Sequence, residues 1–472
     1  MQLPIAFKER MERELGDSYG EFLKSYEKSR TFGLRYNPLK ISKERLRSYF
    51  KSQKAKLEPV PWAEEGFYYP KEIKPGRMPL HEAGGYYIQE PSAMSAVALL
   101  DPMPGERVLD LCAAPGGKSA QIAGRMNGEG TLFANEIVSS RAKILSQNIE
   151  RMGIGNAVVL NETPKRLAKR FPLYFDRIAV DAPCSGEGMF RKDERACLEW
   201  SLEQVGRCAD RQKEILACAV EMLKPKGTLV YSTCTFSRQE NEDIASWLSG
   251  QYPQMEMEKQ MRIWPHLHRG EGHYAARFVK TKTGEVSLLK PPDHETERVD
   301  EKRSISASKD GSAQKVRNWN KKREQRQEQK QAMELFHLFL QETLTQDAYA
   351  YFKGQMESGR LEAFGEQLSL LPVGVESLDG LKVERAGLQL GCCKKNRFEP
   401  AHAFAMALLP DQVKRTLELK EPERYLRGET LDCGGMADGW TLVTVQGCSL
   451  GWGKAVRGTL KNHYPKGLRW RF

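Results

Sequence analysis

The chain reads as an α/β protein: a doubly wound, Rossmann-like parallel sheet, preceded by a helical module and followed by a β-rich domain. Three observations predict this. Short apolar runs alternate with helical segments from Val108 to Leu229. A Gly-rich turn, Pro115-Gly116-Gly117, closes the first of those runs. From 291 to 330 apolar residues thin out and Lys, Arg, Glu, Gln and Ser dominate, which marks a boundary.

The elements follow in order. Phe7, Met11, Leu15, Phe22, Leu23 and Tyr26 recur at helical spacing, so residues 1–83 are expected to form an N-terminal helical module. Its segment Arg30 to Asn37 mixes basic and aromatic residues, which suits either RNA stacking or packing on the next domain. Ser92 is placed to cap a helix that runs to Leu100, before Asp101-Pro102. Val108–Leu111 reads as a strand, and a helix opens over Lys118–Ile122. Thr131–Asn135 is a strand and Ser139–Met152 a helix. Val158–Leu160 and Ile178–Asp181 are short strands, and a helix from about Val205 to Leu223 ends at Lys224-Pro-Lys-Gly227, before a strand at Leu229. These elements make residues 84–285 one domain. Residues 286–330 form a charged linker that runs into a charged helix. Met333, Leu335, Phe336, Leu338 and Phe339 then open an intermediate domain, 331–400. Gly-bounded runs such as Trp440 to Val445 make 401–472 a small β-rich domain.

Composition bounds the function. At 472 residues and 40% hydrophobic the chain can bury a large core in several domains. Its first residues carry charges where a secretion signal needs apolar ones, and no apolar run has membrane-span length, so a cytoplasmic protein is expected. The ten cysteines lack zinc-site spacing, and Cys392-Cys393 are adjacent. Cys197, Cys208, Cys218, Cys433 and Cys448 are read as small buried hydrophobes. A net charge of +11 favours a polyanionic partner.

The Gly turn lies in Val108-Leu-Asp-Leu-Cys-Ala-Ala-Pro-Gly-Gly-Lys-Ser119. It is not a phosphate-cradling loop of the Walker type, whose first Gly would fall at Cys112, nor a Gly-x-Gly-x-x-Gly. Glu136 ends the second strand, where an acid accepts both ribose hydroxyls of a nucleoside. Strand, turn and acid together fit S-adenosylmethionine.

Two thiols stand at the ends of two later strands, in Asp181-Ala-Pro-Cys-Ser-Gly-Glu-Gly188 and Ser232-Thr-Cys-Thr235. With Cys112-Ala-Ala-Pro-Gly-Gly-Lys118 and Glu136, in this order, the chain resembles the Sun-type RNA cytosine-5 methyltransferases, over roughly 84–285. The resemblance implies an S-adenosylmethionine-dependent enzyme on a doubly wound methyltransferase sheet. Carbon 5 of cytosine is a poor nucleophile; a thiolate added to carbon 6 makes the ring enamine-like, and a thiol can later leave. Residue chemistry alone leaves Cys184 and Cys234 exchangeable. The resemblance implies Cys234 as nucleophile, Cys184 assisting release, Asp181 on the base, and Lys118 holding that carboxylate. It implies Cys112, Ala113, Ala114, Pro115, Gly116, Gly117, Lys118, Glu136 and Asp181 around the cofactor, with no metal. Strands four and five are neighbours in such folds, so both thiols should face one crevice. Where the family often has an adenine-contacting Asp, this chain has Thr163, with Asn161 and Glu162 as substitutes. Arg262 to Ala276 also resembles a family segment near the target base. His266 and His273 within it are read as positioning or structural groups, since the chemistry is complete without them.

The tail Gly451 to Arg469 is similar to the end of a PUA-like RNA-binding domain. A C-terminal extension of this kind resembles bacterial enzymes that methylate 16S ribosomal RNA. The target expected is therefore 16S rRNA or the 30S subunit, at a cytosine that can be extruded, and the enzyme is expected to act as a monomer. Transfer RNA is the alternative target. A non-catalytic RNA-binding assembly factor is the alternative of another class, and the intact Cys234, Cys184 and Asp181 argue against it. A dinucleotide oxidoreductase lacks its Gly fingerprint here.

Overall fold

The computed structural model describes residues 3–281, 331–358, 360–375, 377–394 and 397–471. The linker expected over 286–330, with its charged helix, lies outside the described residues.

The N-terminal region is more than helical. Helices Ile5–Leu15 and Tyr19–Ser25 bury Phe7, Met11 and Phe22 on one face. A four-stranded sheet then follows, of β1 (Gly33–Tyr36), β2 (Glu58–Val60), β3 (Ala63–Tyr68) and β4 (Tyr86–Ile88), ordered β2-β3-β1-β4. The helical reading missed it because strands of three to six residues are too short to show a period. Ser42 caps the helix Lys43–Ser52 that packs on this sheet.

The expected α/β alternation forms the central sheet. Its strands are β5 (Arg107–Asp110), β6 (Thr131–Asn135), β7 (Ala157–Leu160), β8 (Phe175–Asp181), β9 (Leu223–Thr233), β10 (Met255–Ile263) and β11 (His273–Lys280). β5 through β9 pair in parallel, while β11 joins β9 antiparallel. The chain leaves β5 toward β6 and β7, then returns on the other side of β5 as β8 and β9. That reversal opens a crevice at the carboxyl ends of the strands. Apolar strand faces are covered on both sides: Phe133, Ile178 and Leu216 lie on one, Val108, Leu132 and Ile122 on the other. Each fully buried side chain of this kind contributes about 1.5–3 kcal/mol.

Local corrections have local causes. Ser92 does not cap the next helix; it opens a short 3₁₀ turn, Ser92–Met94, and its hydroxyl donates to the Glu90 carboxylate. The long helix starts earlier than expected, as Leu202–Met222, because Ser201 caps it. The Lys224–Gly227 segment, where the helix was expected to end ahead of the strand, is already part of β9.

Beyond the linker, residues 331–343 and Gln346–Glu357 are helical. β12 (Leu361–Phe364), β13 (Gln367–Leu370), β15 (Leu388–Lys394) and β16 (Arg397–Pro400) form a sheet. β14 (Val383–Ala386) instead joins the central sheet, antiparallel to β7. A five-stranded sheet ends the chain: β17 (Thr416–Glu418), β18 (Leu431–Asp432), β19 (Gly439–Val445), β20 (Cys448–Val456) and β21 (Thr459–Asn462). Trp440 and Trp452 of this sheet pack on Phe339, joining the two C-terminal sheets through one core. Cys197, Cys208, Cys218, Cys433 and Cys448 are all buried and unpaired, as read from sequence.

Candidate active site

The parallel pairing of β8 and β9 sets Asp181 opposite Ser232, so the two thiol-bearing turns leave the sheet side by side. Cys184 Sγ and Cys234 Sγ are 3.4 Å apart. Neither thiol is fully buried. Contact with Cys234, and then burial, push the Cys184 thiol well above its ordinary range, which keeps a proton on it.

A buried network fixes both turns. The Glu240 carboxylate accepts from the Ser185 amide at 2.8 Å, the Ser185 hydroxyl, and Gln212 Nε2 at 3.2 Å. Gln212 also donates to the Pro183 carbonyl, and the Gly188 amide donates to the Cys234 carbonyl at 2.9 Å. Burial pushes Glu240 up to about 7. A second carboxylate, Glu187, takes Arg10 at 2.6 Å, Trp200 Nε1 at 2.9 Å and the Phe236 amide at 3.1 Å. Arg10 comes from the first helix, so the N-terminal region braces the Cys184 turn directly.

Asp181 ends β8 and forms an ion pair with Lys118 Nζ at 2.7 Å, while Ser232 Oγ donates to it at 2.9 Å. Burial alone raises an acid; the Lys118 charge and these hydrogen bonds outweigh it and hold Asp181 below the usual carboxylate range. His273 Nε2 lies 3.9 Å from Asp181, and both ring nitrogens are buried without a hydrogen-bond partner. Burial, then Lys118, push His273 down to about 3, so the ring is neutral at physiological pH. His266 lies apart, in edge contact with Phe22.

The Gly turn links β5 to the helix Gly117–Arg125. Gly116 sits at φ 111°, a conformation that excludes most side chains. A Cβ on Gly117 would lie 3.2 Å from Tyr87, so this glycine admits the N-terminal sheet against the turn. Arg35 is buried there and donates to the Gly117 carbonyl and to Gln89 at 2.6 Å. The basic Arg30–Asn37 segment therefore packs through Arg35 and leaves Arg30 exposed. The Ala113 amide is bound by the Asn135 carbonyl, and the Ala114 and Pro115 carbonyls accept from Arg141 and Asn148. Cys112 carries a thiol that burial, then Asp110, Asp181 and Glu136, push far up.

Glu136 is buried at the end of β6; its carboxylate accepts the Val138 amide at 2.9 Å and faces Arg141 at 3.2 Å. Asp110, two residues before Cys112, was missed by the sequence reading. Its Oδ2 accepts from Ser119 at 2.7 Å, its Oδ1 is buried without a partner, and burial pushes it up to about 7. An acid at the end of a strand that enters a Gly turn was the signal available. Glu240, Gln212 and Ser185 gave no such signal, since their meeting is long-range.

The third strand departs from expectation. Thr163 Oγ1 accepts the Arg166 amide at 3.3 Å and caps the helix Pro164–Arg170, a role the sequence reading had not given it. Glu162 accepts the Lys382 amide, and Asn161 donates to the Glu136 and Ile137 carbonyls.

Asp110, with its orphaned oxygen, lies close enough to Glu136 and Asp181 for both charges to act on it. A sulfonium-bearing nucleoside fits this donor set, and no metal-ligating cluster occurs among the described residues. A methyltransferase sheet with paired thiols at its open edge is the class this geometry defines.

Comparisons with known proteins agree. Residues 97–279 match the family described as 16S rRNA methyltransferase RsmB/F. Residues 3–91, 339–408 and 414–470 match its N-terminal, first C-terminal and PUA domains, each described for RsmF. The chain is 33% identical over 479 residues to Ribosomal RNA small subunit methyltransferase F of Escherichia coli O9:H4, covering 96% of this chain and 93% of that protein. A methyltransferase homolog protein from Pyrococcus horikoshii is 28% identical, with TM-score 0.53, over 58% of this chain and 94% of that one. NSun6 from the same organism, 22% identical with TM-score 0.53 over 59% and 99%, shares the fold. The chain belongs to the RsmB/F family of 16S rRNA methyltransferases and is an enzyme that uses S-adenosylmethionine.

Proposed function

We propose that this enzyme methylates carbon 5 of a cytosine in 16S ribosomal RNA, through a covalent adduct between Cys234 and carbon 6. The observation that carries the reading is the 3.4 Å pair of thiols beside the Asp181–Lys118 ion pair. The bound cofactor supplies an electrophilic methyl group. Glu136 and Asp110 would hold its charged and hydroxyl-bearing parts, with the 112–118 turn behind them.

The residues then divide the work. The two sulfurs touch, so one can add to carbon 6 while the other keeps its proton; the family resemblance makes Cys234 the nucleophile and Cys184 its partner. That addition breaks the 5,6 double bond and moves electron density toward carbon 5 and the ring nitrogen. Lys118 meets the negative charge that develops at the base edge, and the Asp181 carboxylate holds that ammonium in place. Cys234 adds as a thiolate, its own proton having left to solvent. After methylation, Cys184 gives its proton to the departing Cys234 sulfur and takes the proton of carbon 5. The double bond reforms, both thiols end protonated, and one proton is released per methyl transferred. His273 is neutral and borders Asp181; it positions the carboxylate and carries no proton in this scheme. The RNA substrate follows the family and the relatives named above, and a single copy working in the cytoplasm completes the reading. Transfer RNA is the control substrate.

Two variants test the roles. Cys234→Ala is expected to abolish methyl transfer while cofactor affinity stays within about twofold, because the residue lies outside the Gly turn. Cys184→Ala is expected to accumulate a protein–RNA adduct that survives a denaturing gel. A Cys184→Ala enzyme that turns over without adduct would reverse or discard the assignment. Labelled methyl should appear as 5-methylcytosine in unmodified 30S RNA; label in tRNA alone would keep the chemistry and change the target.

A further inference from the structure

Between the N-terminal region and the segment before β11 lies an open cleft of 420 Å³. Its walls carry Lys28, Arg30, Lys71, Arg191, Arg269, His266 and His268, and no carboxylate. Two of these cations are already engaged. Arg191 holds Glu271 at 2.7 Å, and Arg269 pairs with Glu58. Lys28, Arg30 and Lys71 are exposed, and none has an ion-pair partner among the described residues. Their charge is left for something else. The Arg30 guanidinium lies 4.8 Å over the Phe32 ring, and Phe32 meets Tyr69 at 5.7 Å. Leu267, 66% exposed, adds apolar surface. Cations beside an aromatic step are the two features a single-stranded nucleotide uses: phosphate contact and base stacking.

The cleft is wired to the catalytic turn. Glu271 accepts the Thr31 amide at 2.6 Å and Arg191 at 2.7 Å, both from the cleft wall. The Glu271 carbonyl lies against Gly188, which also touches the Cys234 carbonyl: a Cβ there would meet the two at 3.3 and 3.0 Å. Gly188 therefore stands between Glu271, which two residues of the cleft wall hold, and the strand end that carries Cys234.

We infer that this cleft seats the RNA nucleotide adjoining the target cytosine, with its phosphate on Arg30 and Lys71 and its base against Phe32. The inference rests on the RNA-methyltransferase reading above. It assigns the cleft part of the energy that holds an extruded cytosine in place: unstacking is offset by restacking the neighbour. Phosphate contacts of this kind act on substrate binding rather than on the chemical step, so KM carries the effect.

The test uses the full chain with unmodified 30S subunits, and a short single-stranded RNA carrying one cytosine as a binding probe. Arg30→Ala with Lys71→Ala removes two exposed cations and should leave folding intact. The slope of log affinity against log salt should fall by about 1.4, at about 0.7 for each single-strand phosphate contact. KM should rise about tenfold or more with kcat nearly unchanged. Phe32→Leu keeps apolar volume and should weaken probe binding about fivefold, with little change in slope, by the usual size of a base–aromatic contact. Methyl transfer by the wild type with an unchanged slope and KM in the double variant would overturn the cleft and spare the function. Absence of any methylcytosine product from the wild type would overturn the function itself. A fall in kcat alone would place these residues in the chemistry and also reject the cleft.

Discussion

Asp110 is the side chain through which cofactor affinity should depend on pH. Burial pushes it to about 7, against the Ser119 hydrogen bond, and one oxygen has no partner. A buried acid with a raised pKa is destabilised when charged, so the free enzyme holds a proton there below about 7. A sulfonium nearby favours the charged form. Binding of S-adenosylmethionine should then release a proton, and affinity should improve as pH rises toward 7, by up to about tenfold per unit. S-adenosylhomocysteine has a neutral sulfur and should show a flatter profile. Titration calorimetry in two buffers of different ionisation enthalpy counts the proton. Asp110→Asn should abolish the release; an unchanged release in that variant would assign it to another group.

Elements explain which parts of the site were legible. The Cys184 and Cys234 turns and the Gly turn end strands, and each carries its chemistry within a few consecutive residues. Their meeting followed from strand order alone. At Thr163 the motif match left out a helix: Thr163-Pro164 is a cap followed by proline at the first helical position. Thr163→Ala should cost about 1 kcal/mol in stability and change S-adenosylmethionine affinity less than twofold. A large loss of affinity with little loss of stability would restore the adenine contact. The N-terminal sheet and β14 stayed hidden because short strands are specified by partners far away in sequence. β14 finds β7 across more than two hundred residues, through pairs such as Val383 with Leu160. The Glu240 network was hidden for the same reason.

At the scale of the whole molecule, one buried lysine stands where three parts meet. Lys40 Nζ donates to the Ala83 carbonyl at 2.8 Å and to the Ser449 carbonyl of β20 at 3.4 Å. Its stem lies against Gly153 of the central domain, where a Cβ would come within 2.6 Å of Lys40 Cε. It has no ion-pair partner among the described residues, and burial pushes it down to about 7. The unfolded lysine titrates near ~10.4, so between about 7 and 10 the folded state binds fewer protons than the unfolded one. Stability should therefore rise with pH through that window, by up to about 1.4 kcal/mol per unit, and the penalty of burying the charge is fully present below it. Lys40→Met removes the titrating group and should flatten the rise between pH 7 and 9. It also leaves two carbonyls without their donor, at about 1–3 kcal/mol each if water does not replace it. Thermal unfolding of both proteins at the two pH values separates these effects. Because Ser449 belongs to the C-terminal sheet and Ala83 to the N-terminal region, loosening this joint should also raise KM for the large RNA more than for the short one. Equal pH slopes in the two proteins would mean that Lys40 keeps its charge in the fold, and that the three parts are fixed to one another by their apolar contacts instead.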